Sequence, residues 1–532
     1  MIDTTVPYSD GWWLQRLSNQ LREQAVHCEE LQQRYEGNSP LPFVSSLQQA
    51  AVRWFVEKSR TNFERLIVSS VLSRLRISGL RTSVDNDEGG DAEAFDQWKR
   101  ARMKLVTLDA HKMMLAMSRS YIVVGKDSGG RPLATAEDPR FVTAITDPAD
   151  PYHVLAALKL CHDDVNDRDE AYLYLPGRVA VATRDRKSTG LRNSVGFSAV
   201  SFAWDEERSV DIPELQAKGA TEDLPALPAL APIAPFFNED GMAEFEPFLN
   251  VIDRINQQIL QRMTIATVQA FKQRAFKGLP TSDPKTGAKI DWNDILVADP
   301  GSVWNIPASI EIWESGQVDF SGILLAIRDD VKDLAATSGT PLYSVTPDVA
   351  NGSAEGASLQ REMNVFKVES RMDRTEPSHE LASELLFRMA GDERRADPGA
   401  VQIIWAPVQR YSLAERASAI SLTKGVIPRY QQLTEIWGMD PSQADRAMSE
   451  LTDDMVFAQQ MNSSDPTVPI AADPSASPPA TLTQKATAFG VLIRSGVTPE
   501  SAAAQTELSG VKMIPDFVPV TIKDATPEPR VN

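Results

Sequence analysis

The strongest chemical signal in the sequence is a run of basic residues between positions 254 and 289. Seven lysines or arginines and a single acid, Asp283, give this stretch a charge of +6 in a chain whose formal net charge is −19. The basic residues are Arg254, Arg262, Lys272, Arg274, Lys277, Lys285 and Lys289. The run either faces phosphates or an acidic partner, or pairs with acids on a neighbouring helix. Asp329, Asp330 and Asp333 are the candidate acids for such pairing.

Three tryptophans follow this run: Trp292, Trp304 and Trp313. They fall inside a segment, residues 278–317, that has turn sequences and two short strand patterns, Ile295–Ala298 and Ile310–Trp313. Tryptophan is enriched at the energetic centres of interfaces. A segment this short has little other material for a core, so core packing is an equally good interpretation for each tryptophan.

Patterns typical of catalysis are absent from the sequence. It has no G-x-x-x-x-G-K-[ST], G-x-S-x-G or H-E-x-x-H motif. Two cysteines, Cys28 and Cys161, form neither a disulfide framework nor a thiolate metal site. His162-Asp163-Asp164 resembles a metal or base cluster, but its position at a strand end favours a solvated turn. We therefore expect no enzyme activity, no cofactor and no metal.

Composition indicates an ordinary globular protein of several domains. The chain has 532 residues, of which 42% are hydrophobic and 24% charged, with 54 basic against 73 acidic side chains. The acidic balance argues against a protein that coats nucleic acid. No apolar run reaches 18 residues, and the first residues lack the pattern of a signal peptide. We expect a protein that is not in a membrane and is made in a reducing cytoplasm.

The N-terminal part is predicted to be helical. Ser9 or Asp10 can cap a helix that ends at Tyr35 before Gly37. Apolar spacing predicts a second helix over Ser46–Ile77 and a third over Ala92–Met117.

A sheet is predicted to follow these helices. The strand candidates are Tyr121–Gly125, Phe141–Ile145, Val154–Cys161, Ala171–Leu175 and Val179–Ala182. Short polar turns between them favour an antiparallel sheet packed on the helices, in a helix-rich α+β fold. The next segment contains four prolines: Pro225, Pro228, Pro232 and Pro235. Since proline lacks a backbone donor, we expect a surface linker there.

Two helices are predicted on either side of the tryptophan segment, residues 278–317. Apolar steps of three and four residues predict a helix over Ala243–Phe276, and a second helix returns over Phe320–Ala336. Residues 339–358 are rich in Gly and Ser and predict a loop, and loops of this length are uncommon without a function. A long helix, Leu359–Ala390, follows, and Pro377 within it is expected to kink it. Val401–Trp405 reads as a strand.

The C-terminal part alternates helices and linkers. Ser412–Gln460 is predicted to be helical with breaks at Gly425 and at Gly438–Pro441. A proline-rich linker, Asn462–Thr483, and a helical hairpin, Thr483–Leu508, are expected after it.

This order of parts resembles the portal proteins of tailed bacteriophages, especially the siphovirus-type portals of actinobacterial phages. The resemblance covers about residues 10–510. It depends on the order of the predicted elements together with four short segments of sequence. These are Phe63-Glu64-Arg65-Leu66-Ile67-Val68, Thr146-Asp147-Pro148, Asn250-Val251-Ile252-Asp253-Arg254-Ile255-Asn256 and Ser353-Ala354-Glu355-Gly356-Ala357-Ser358-Leu359. None of the four is a sharp motif, and it is their combined order that is specific.

The resemblance implies a ring of twelve subunits with wing, stem, clip and crown parts. Residues 1–242 would form the wing, 243–277 and 318–338 the two stem helices, and 278–317 the clip. Residues 339–358 would form the tunnel loop, 359–410 the kinked wing helix and a strand, and 411–510 the crown. Residues 511–532 would be a tail without fixed order.

The implied function is a DNA conduit at the unique vertex of the capsid, assembled in the host cytoplasm and carried in the virion. It would serve packaging, retention and ejection of the genome. The implied partners are other copies of the chain, double-stranded DNA, the terminase large subunit, the head–tail adaptor, the major capsid protein and the scaffold.

Carried onto this sequence, the resemblance assigns three groups of residues. The first group lies near the channel constriction: Val349, Asn351, Ser353 and Glu355. The second faces DNA or a partner from stem and clip: Lys272, Arg274, Lys277, Lys285 and Lys289. The third serves clip assembly or docking: Trp292, Trp304 and Trp313.

Two alternatives remain open at this stage. One is another DNA-contacting phage structural protein, such as an adaptor or a capsid subunit. The other is a DNA-processing enzyme with a basic groove, which metal-dependent cleavage or ATPase activity would reveal.

Overall fold

The architecture was analysed in a computed structural model of the chain. The structure describes residues 2–42, 55–85, 90–185, 201–219, 227–270, 274–283, 286–292, 310–314, 316, 319–341, 354–399, 401–408, 413–439, 441–463 and 506. The chain divides into two units, Met1–Leu451 and Thr452–Asn532. The first unit contains all the sheets described below.

Helices and strands mix along the described chain, as expected for an α+β fold. The helices are α1 Asp10–Tyr35, α2 Phe63–Leu72, α3 Ala92–Arg100, α4 Met103–Met117, α5 Leu249–Ala270, α6 Ser321–Ser338, α7 Ala354–Ala390, α8 Leu413–Thr423 and α9 Pro441–Ser463. The strands are β1 Ile77–Arg81, β2 Arg119–Lys126, β3 Pro132–Glu137, β4 Val142–Asp147, β5 Asp150–Asp163, β6 Arg168–Leu175, β7 Arg178–Asp185, β8 Ala203–Asp211, β9 Ile233–Phe237, β10 Arg274–Lys277, β11 Glu311–Glu314 and β12 Gln402–Trp405.

The predicted antiparallel sheet is confirmed for four of its five candidates, which become β4, β5, β6 and β7 and are joined by an unpredicted strand, β8, in the order β4-β5-β6-β7-β8. The fifth candidate, Tyr121–Gly125, belongs to β2 in a second sheet of order β3-β2-β9. Both faces of the five-stranded sheet are covered. Leu14, Leu17 and Leu21 of α1 pack on one face, which includes Leu158 of β5. The other face packs on Tyr121 of the second sheet. Burial on both faces explains why β5 reads as an almost continuous apolar run.

Helix α1 matches its prediction. The Ser9 hydroxyl accepts a hydrogen bond from the Trp12 backbone N–H at 3.2 Å, and Gly37 stands just past the end with φ +90°. The next two helix predictions are wrong in length. Asn62 caps a new helix, α2, through the Arg65 backbone N–H at 2.8 Å, and Ile77 opens strand β1 instead of ending a helix.

The predicted helix Ala92–Met117 is two helices, α3 and α4. Arg102 lies between them in the left-handed region, with φ 61° and ψ 23°. A residue in this conformation cannot continue a right-handed helix.

The proline stretch contains a buried strand where a surface linker was expected. Strand β9 pairs with β2 in a sheet of order β3-β2-β9, and its Ile233, Ala234 and Phe236 are completely buried. Proline is compatible with a strand at the edge of a sheet, where its missing N–H faces away from the partner. The carbonyl of Pro232 still accepts a hydrogen bond from the Val124 N–H at 2.9 Å.

The long helix α7 packs across this second sheet and supports strand β12. Its Ser378 hydroxyl donates to the Pro235 carbonyl at 2.6 Å, and β12 pairs antiparallel with β1. Pro377 lies inside α7 as predicted. The helix begins at Ala354, five residues earlier than the sequence indicated, so residues 354–358 are helix and not loop.

The C-terminal helices of the described chain largely follow their prediction. Helix α8 ends before Gly425, and a short turn, Arg429–Gln431, continues as a π-helical turn to Ile436. Helix α9 begins at Pro441. Most of the predicted linker Asn462–Thr483 and all but one residue of the hairpin Thr483–Leu508 lie outside the described residues.

Candidate functional site

Helices α5 and α6 form a pair that is buried at one end and exposed at the other. Ile252 and Ile255 at the start of α5, and Leu334 at the end of α6, are almost completely buried in the main core. At the opposite end of α6, Leu324 is 36% and Leu325 57% exposed. The described part of the chain therefore leaves these two leucines uncovered.

The predicted helix over Ala243–Phe276 is shorter than expected. Helix α5 starts at Leu249 after a 3-10 turn, Glu246–Phe248, and stops at Ala270. Phe276 belongs to strand β10, which pairs antiparallel with β11 and sets Phe276 opposite Ile312. The returning helix α6 agrees with its prediction within two residues.

The first basic residue of the run pairs with an acid on the neighbouring helix. The Arg254 guanidinium contacts the Asp330 carboxylate at 2.7 and 3.1 Å, and the Gln258 amide donates to the same carboxylate at 2.7 Å. The hydrogen bond with Asp330 raises the pKa of Arg254. For Arg254, the interpretation of the run as a paired helix face is therefore confirmed. Asp329 contacts Lys332 on its own helix at 3.2 Å.

Farther along the run the described basic side chains are exposed. Lys277 is 86% exposed and meets Glu311 of the adjacent strand at 3.2 Å. Lys289 is exposed and takes part in an isolated bridge with Ser282. Arg274 opens β10, and only its backbone is described. Lys272 and Lys285 lie outside the described residues, so a DNA- or partner-facing role for the group stays a prediction.

Two of the three tryptophans can be placed. The Trp292 indole N–H donates to the Pro280 carbonyl at 2.8 Å and ties together the turn before it. Trp313 in β11 is 58% exposed, opposite Ala275. Trp304 lies outside the described residues. Exposure favours an interface role for Trp313, whereas the hydrogen bond of Trp292 favours a local structural one.

The residues predicted to narrow the channel lie between α6 and α7, and side chains of α7 hold the end of α6 that precedes them. Val349, Asn351 and Ser353 lie outside the described residues, and Glu355 lies in the first turn of α7, described there as backbone only. Before this segment, Gly339 ends α6 in the left-handed conformation with φ 67°. Glycine adopts this conformation without strain.

Two side chains of α7 hold that end of α6. The Asn364 amide donates to the Gly339 carbonyl at 3.2 Å. The Lys367 ammonium donates to the Ser338 carbonyl at 2.9 Å. A cation at the C-terminal end of a helix is favourable because the helix dipole is negative there.

A buried carboxylate completes this anchor. Glu244, whose side chain is 1% exposed, meets Lys367 at 2.7 Å and Arg371 at 2.5 Å, and Arg371 also meets Glu239 at 2.7 Å. Burial opposes ionisation of Glu244, but the charge of Lys367 and the hydrogen bond from Arg371 outweigh it and hold its pKa below the usual value. We call Glu244, Asn364, Lys367 and Arg371 the loop anchor.

The loop anchor leaves little trace in the sequence. Its one local signal is the spacing of Asn364, Lys367 and Arg371, which puts three polar side chains at three- and four-residue steps on one face of α7. That face also carries the buried Val368. Such a pattern predicts a buried polar partner but does not say that the partner is Glu244.

Catalytic and metal chemistry finds little support within the described part of the chain. No group of three or more His, Cys, Asp and Glu residues there could hold a metal ion. His162 contacts Asp169 at 3.1 Å, while Asp164 and Asp167 near it are 90% and 70% exposed, which agrees with a solvated turn. Burial raises the pKa of both thiols, Cys28 and Cys161, to about 11, so neither is an activated nucleophile.

None of the described helices has the length and apolar character that a membrane span needs.

Comparisons with known proteins give one family. The sequence profile described as "Phage portal protein, SPP1 Gp6-like" matches residues 14–455. No curated protein matches the chain. Among solved structures, a chain from "Neck of native GTA particle computed with C12 symmetry" aligns with a TM-score of 0.39 at 10% identity. The alignment covers 76% of this chain and 97% of that one.

Proposed function

Because this chain belongs to the family of SPP1 Gp6-like phage portal proteins, we propose that it forms the ring-shaped DNA conduit at the unique vertex of a phage capsid. Twelve copies would surround the channel. Packaging, retention and ejection of the genome would all pass through it, and the protein would stay in the virion.

The observation that carries this proposal is the order of four parts inside the matched region. These are helix α5, the exposed strand pair β10–β11, helix α6 with its C-terminal end held by side chains, and helix α7. We assign α5 and α6 to the stem, within residues 243–277 and 318–338, and residues 278–317 to the clip. The exposed end of the helix pair supports the assignment, because a stem inside a ring is covered by its neighbours and not by its own chain.

The loop anchor supports a constriction within residues 339–353, since residues 354–358 belong to helix α7. A loop that narrows a channel must keep its ends fixed while DNA passes. The contacts of Asn364 and Lys367 with the end of α6 would provide that fixed base. Val349, Asn351, Ser353 and Glu355 are then the residues proposed to face DNA.

The remaining assignments follow the same division. Residues 1–242 would form the wing, 359–410 the long wing helix and strand, and 411–510 the crown. Lys272, Arg274, Lys277, Lys285 and Lys289 would face DNA or a partner, and Trp313 would serve clip assembly or docking. The clip would dock the terminase large subunit and afterwards the head–tail adaptor, and the capsid protein and scaffold would contact the ring from outside. The protein itself would supply no catalysis.

The mass and symmetry of the purified full chain test the proposal. Light scattering should give twelve subunits of 58.6 kDa, about 703 kDa in total. Negative-stain images should show rings with a central hole. A ring of thirteen would support the same architecture, since a ring closes when its repeated interface returns to the start. A compact dimer would overturn the proposal.

A second measurement separates the conduit from the enzyme alternative. Purified protein is incubated with supercoiled DNA and Mg²⁺, and nicking is followed on a gel. We expect no cleavage. Cleavage by wild type that Asp329→Ala or Asp330→Ala abolishes would mean that α6 carries an active site and is not a stem.

A further inference from the structure

A cleft on the first unit, away from the stem, has charges that the fold does not use. Its volume is about 930 Å³, near the upper end of the ~300–1,000 Å³ of ligand clefts. It lies between the junction of α3 and α4, the β2–β3 hairpin and the C-terminal end of α7. We call it the wing cleft.

The floor of the wing cleft is partly apolar. It is lined by Ala101, Pro132, Leu133, Leu386 and Ala390. Leu133 is 37% exposed although it lies within strand β3. An apolar side chain of a partner could be buried there.

The acids around the wing cleft are already paired. Asp127 contacts Arg131 at 3.0 Å. Asp392 and Glu93 both contact Arg395, at 2.8 and 2.9 Å. These carboxylates therefore leave the two remaining cations of the rim without a partner.

Those two cations are Arg100 and Arg102. Both side chains are exposed and line the cleft. Within the described ranges, neither guanidinium makes an ion pair or a hydrogen bond. Lys99 and Lys104 flank them, so residues 99–104 hold four basic side chains and no acid in a chain of net charge −19.

Local structure accounts for Arg100 but not for Arg102. Arg100 ends α3, where a cation suits the helix dipole. Arg102 is the residue that precedes α4, and a cation at the start of a helix is unfavourable. It also holds φ 61° and makes no side-chain cap, so glycine or asparagine would fit the position better. A strained, uncapped residue at the rim of a cleft indicates a function outside the fold.

We propose that the wing cleft docks an acidic peptide segment of a partner protein, with carboxylates on Arg100 and Arg102 and a large apolar side chain over Leu133. A protein segment fits better than duplex DNA. A duplex is a wide rod that would leave the apolar floor, which includes Leu133 and Leu386, unused. The docking does not depend on ring formation.

Fluorescence anisotropy of the full-length protein tests this with one probe, a fluorescein-labelled peptide in which leucines alternate with glutamates. Arg100→Glu combined with Arg102→Glu should weaken binding about tenfold or more, because like charges would then face each other. Leu133→Ser should also weaken binding. The matched controls are Arg22→Glu, an exposed arginine on α1, and Leu105→Ser, an exposed leucine that does not line the cleft. Neither control should change the affinity.

Arg102→Asn makes the test independent of folding defects. Asparagine tolerates the left-handed conformation and caps helices, so this variant should melt at a higher temperature than wild type and bind the probe more weakly. Arg102→Lys should keep most of the affinity. A stabilised Arg102→Asn protein with unchanged affinity would overturn the proposal.

Three further results would also overturn it. Equal binding of a peptide with serines in place of leucines would mean that the floor is not used. Displacement of the probe by a DNA duplex, lost in the same arginine variants, would mean a phosphate site. A fall in ring mass in the Arg100→Glu/Arg102→Glu protein would mean that the cleft is an interface between copies of the chain.

Discussion

A buried pair of histidines should make the first unit less stable below neutral pH. His111 on α4 and His379 on α7 meet through their Nε2 atoms at 2.7 Å. Both rings are completely buried against Phe236 and Trp405. Such a contact needs one nitrogen to donate and the other to accept, so at least one of the two rings is neutral.

The direction of the effect follows from the shifted pKa values. Burial, together with the charge of Arg76, lowers the pKa of His111 to about 3, and burial with His111 nearby lowers the pKa of His379 well below its usual value. Because both folded pKa values lie below the unfolded one, the contribution to stability is fully present above pH ~6.5. It is lost as the pH falls, because the unfolded chain then takes up protons that the folded chain cannot.

The size of the effect can be worked from the unfolded pKa. Between pH 7 and pH 5, each histidine should remove about 2 kcal/mol from the free energy of unfolding, and the pair about 4 kcal/mol. Urea unfolding followed by tryptophan fluorescence at pH 5, 6, 7 and 8 measures this. The double variant His111→Leu/His379→Leu replaces both polar partners with apolar ones and should lose that part of the pH dependence.

Comparison of variants isolates the pair from other titrating groups. His153→Gln removes a histidine outside the pair and should keep the wild-type slope. His379→Leu alone should cost about 1–3 kcal/mol at pH 7, since it leaves His111 buried without its partner. A double variant whose stability falls with pH as steeply as that of wild type would mean that the histidine pair is not the source of the pH dependence.

Three further predictions concern the loop anchor, the loop and the clip. Lys367→Met should destabilise the protein by about 3–5 kcal/mol in urea unfolding, because it leaves Glu244 buried with one cation fewer. Lys332→Met on the surface of α6 should cost less than about 1 kcal/mol, and equal costs would contradict the anchor. Deletion of residues 344–353 should leave ring mass unchanged in light scattering but impair DNA packaging or retention, and monomers would mean that the loop is structural. Trp313→Ser should leave the urea midpoint unchanged because the side chain is exposed, while weakening capture of the adaptor in a pull-down, and a large loss of stability would place Trp313 in a core.

The sequence predicts an element correctly where residues close together in the chain determine it. Helix α1 is an example, because Ser9 and Gly37 mark its ends within the sequence. The break before α2 was missed because Asn62 reads as an ordinary polar residue in a helical pattern. The break at Arg102 has no signal in the sequence either, because arginine is a good helix former.

Nonlocal contacts account for the larger errors. Strand β9 was mistaken for a linker because four prolines suggested exposure, whereas pairing with β2 and packing of α7 bury it. The loop anchor joins Glu244 to Lys367 and Arg371, more than 120 positions apart, and no pattern in one sequence reports such a contact. The sequence offers Asp329, Asp330 and Asp333 as acid partners of Arg254, and in the structure the partner is Asp330.

The loop anchor has a mechanical consequence. Force applied at Gly339, the end of α6, would pass to the long helix α7 through the side chains of Asn364 and Lys367. Because these two contacts fix the end of α6 against α7, the spacing between the two helices would stay constant under such a force.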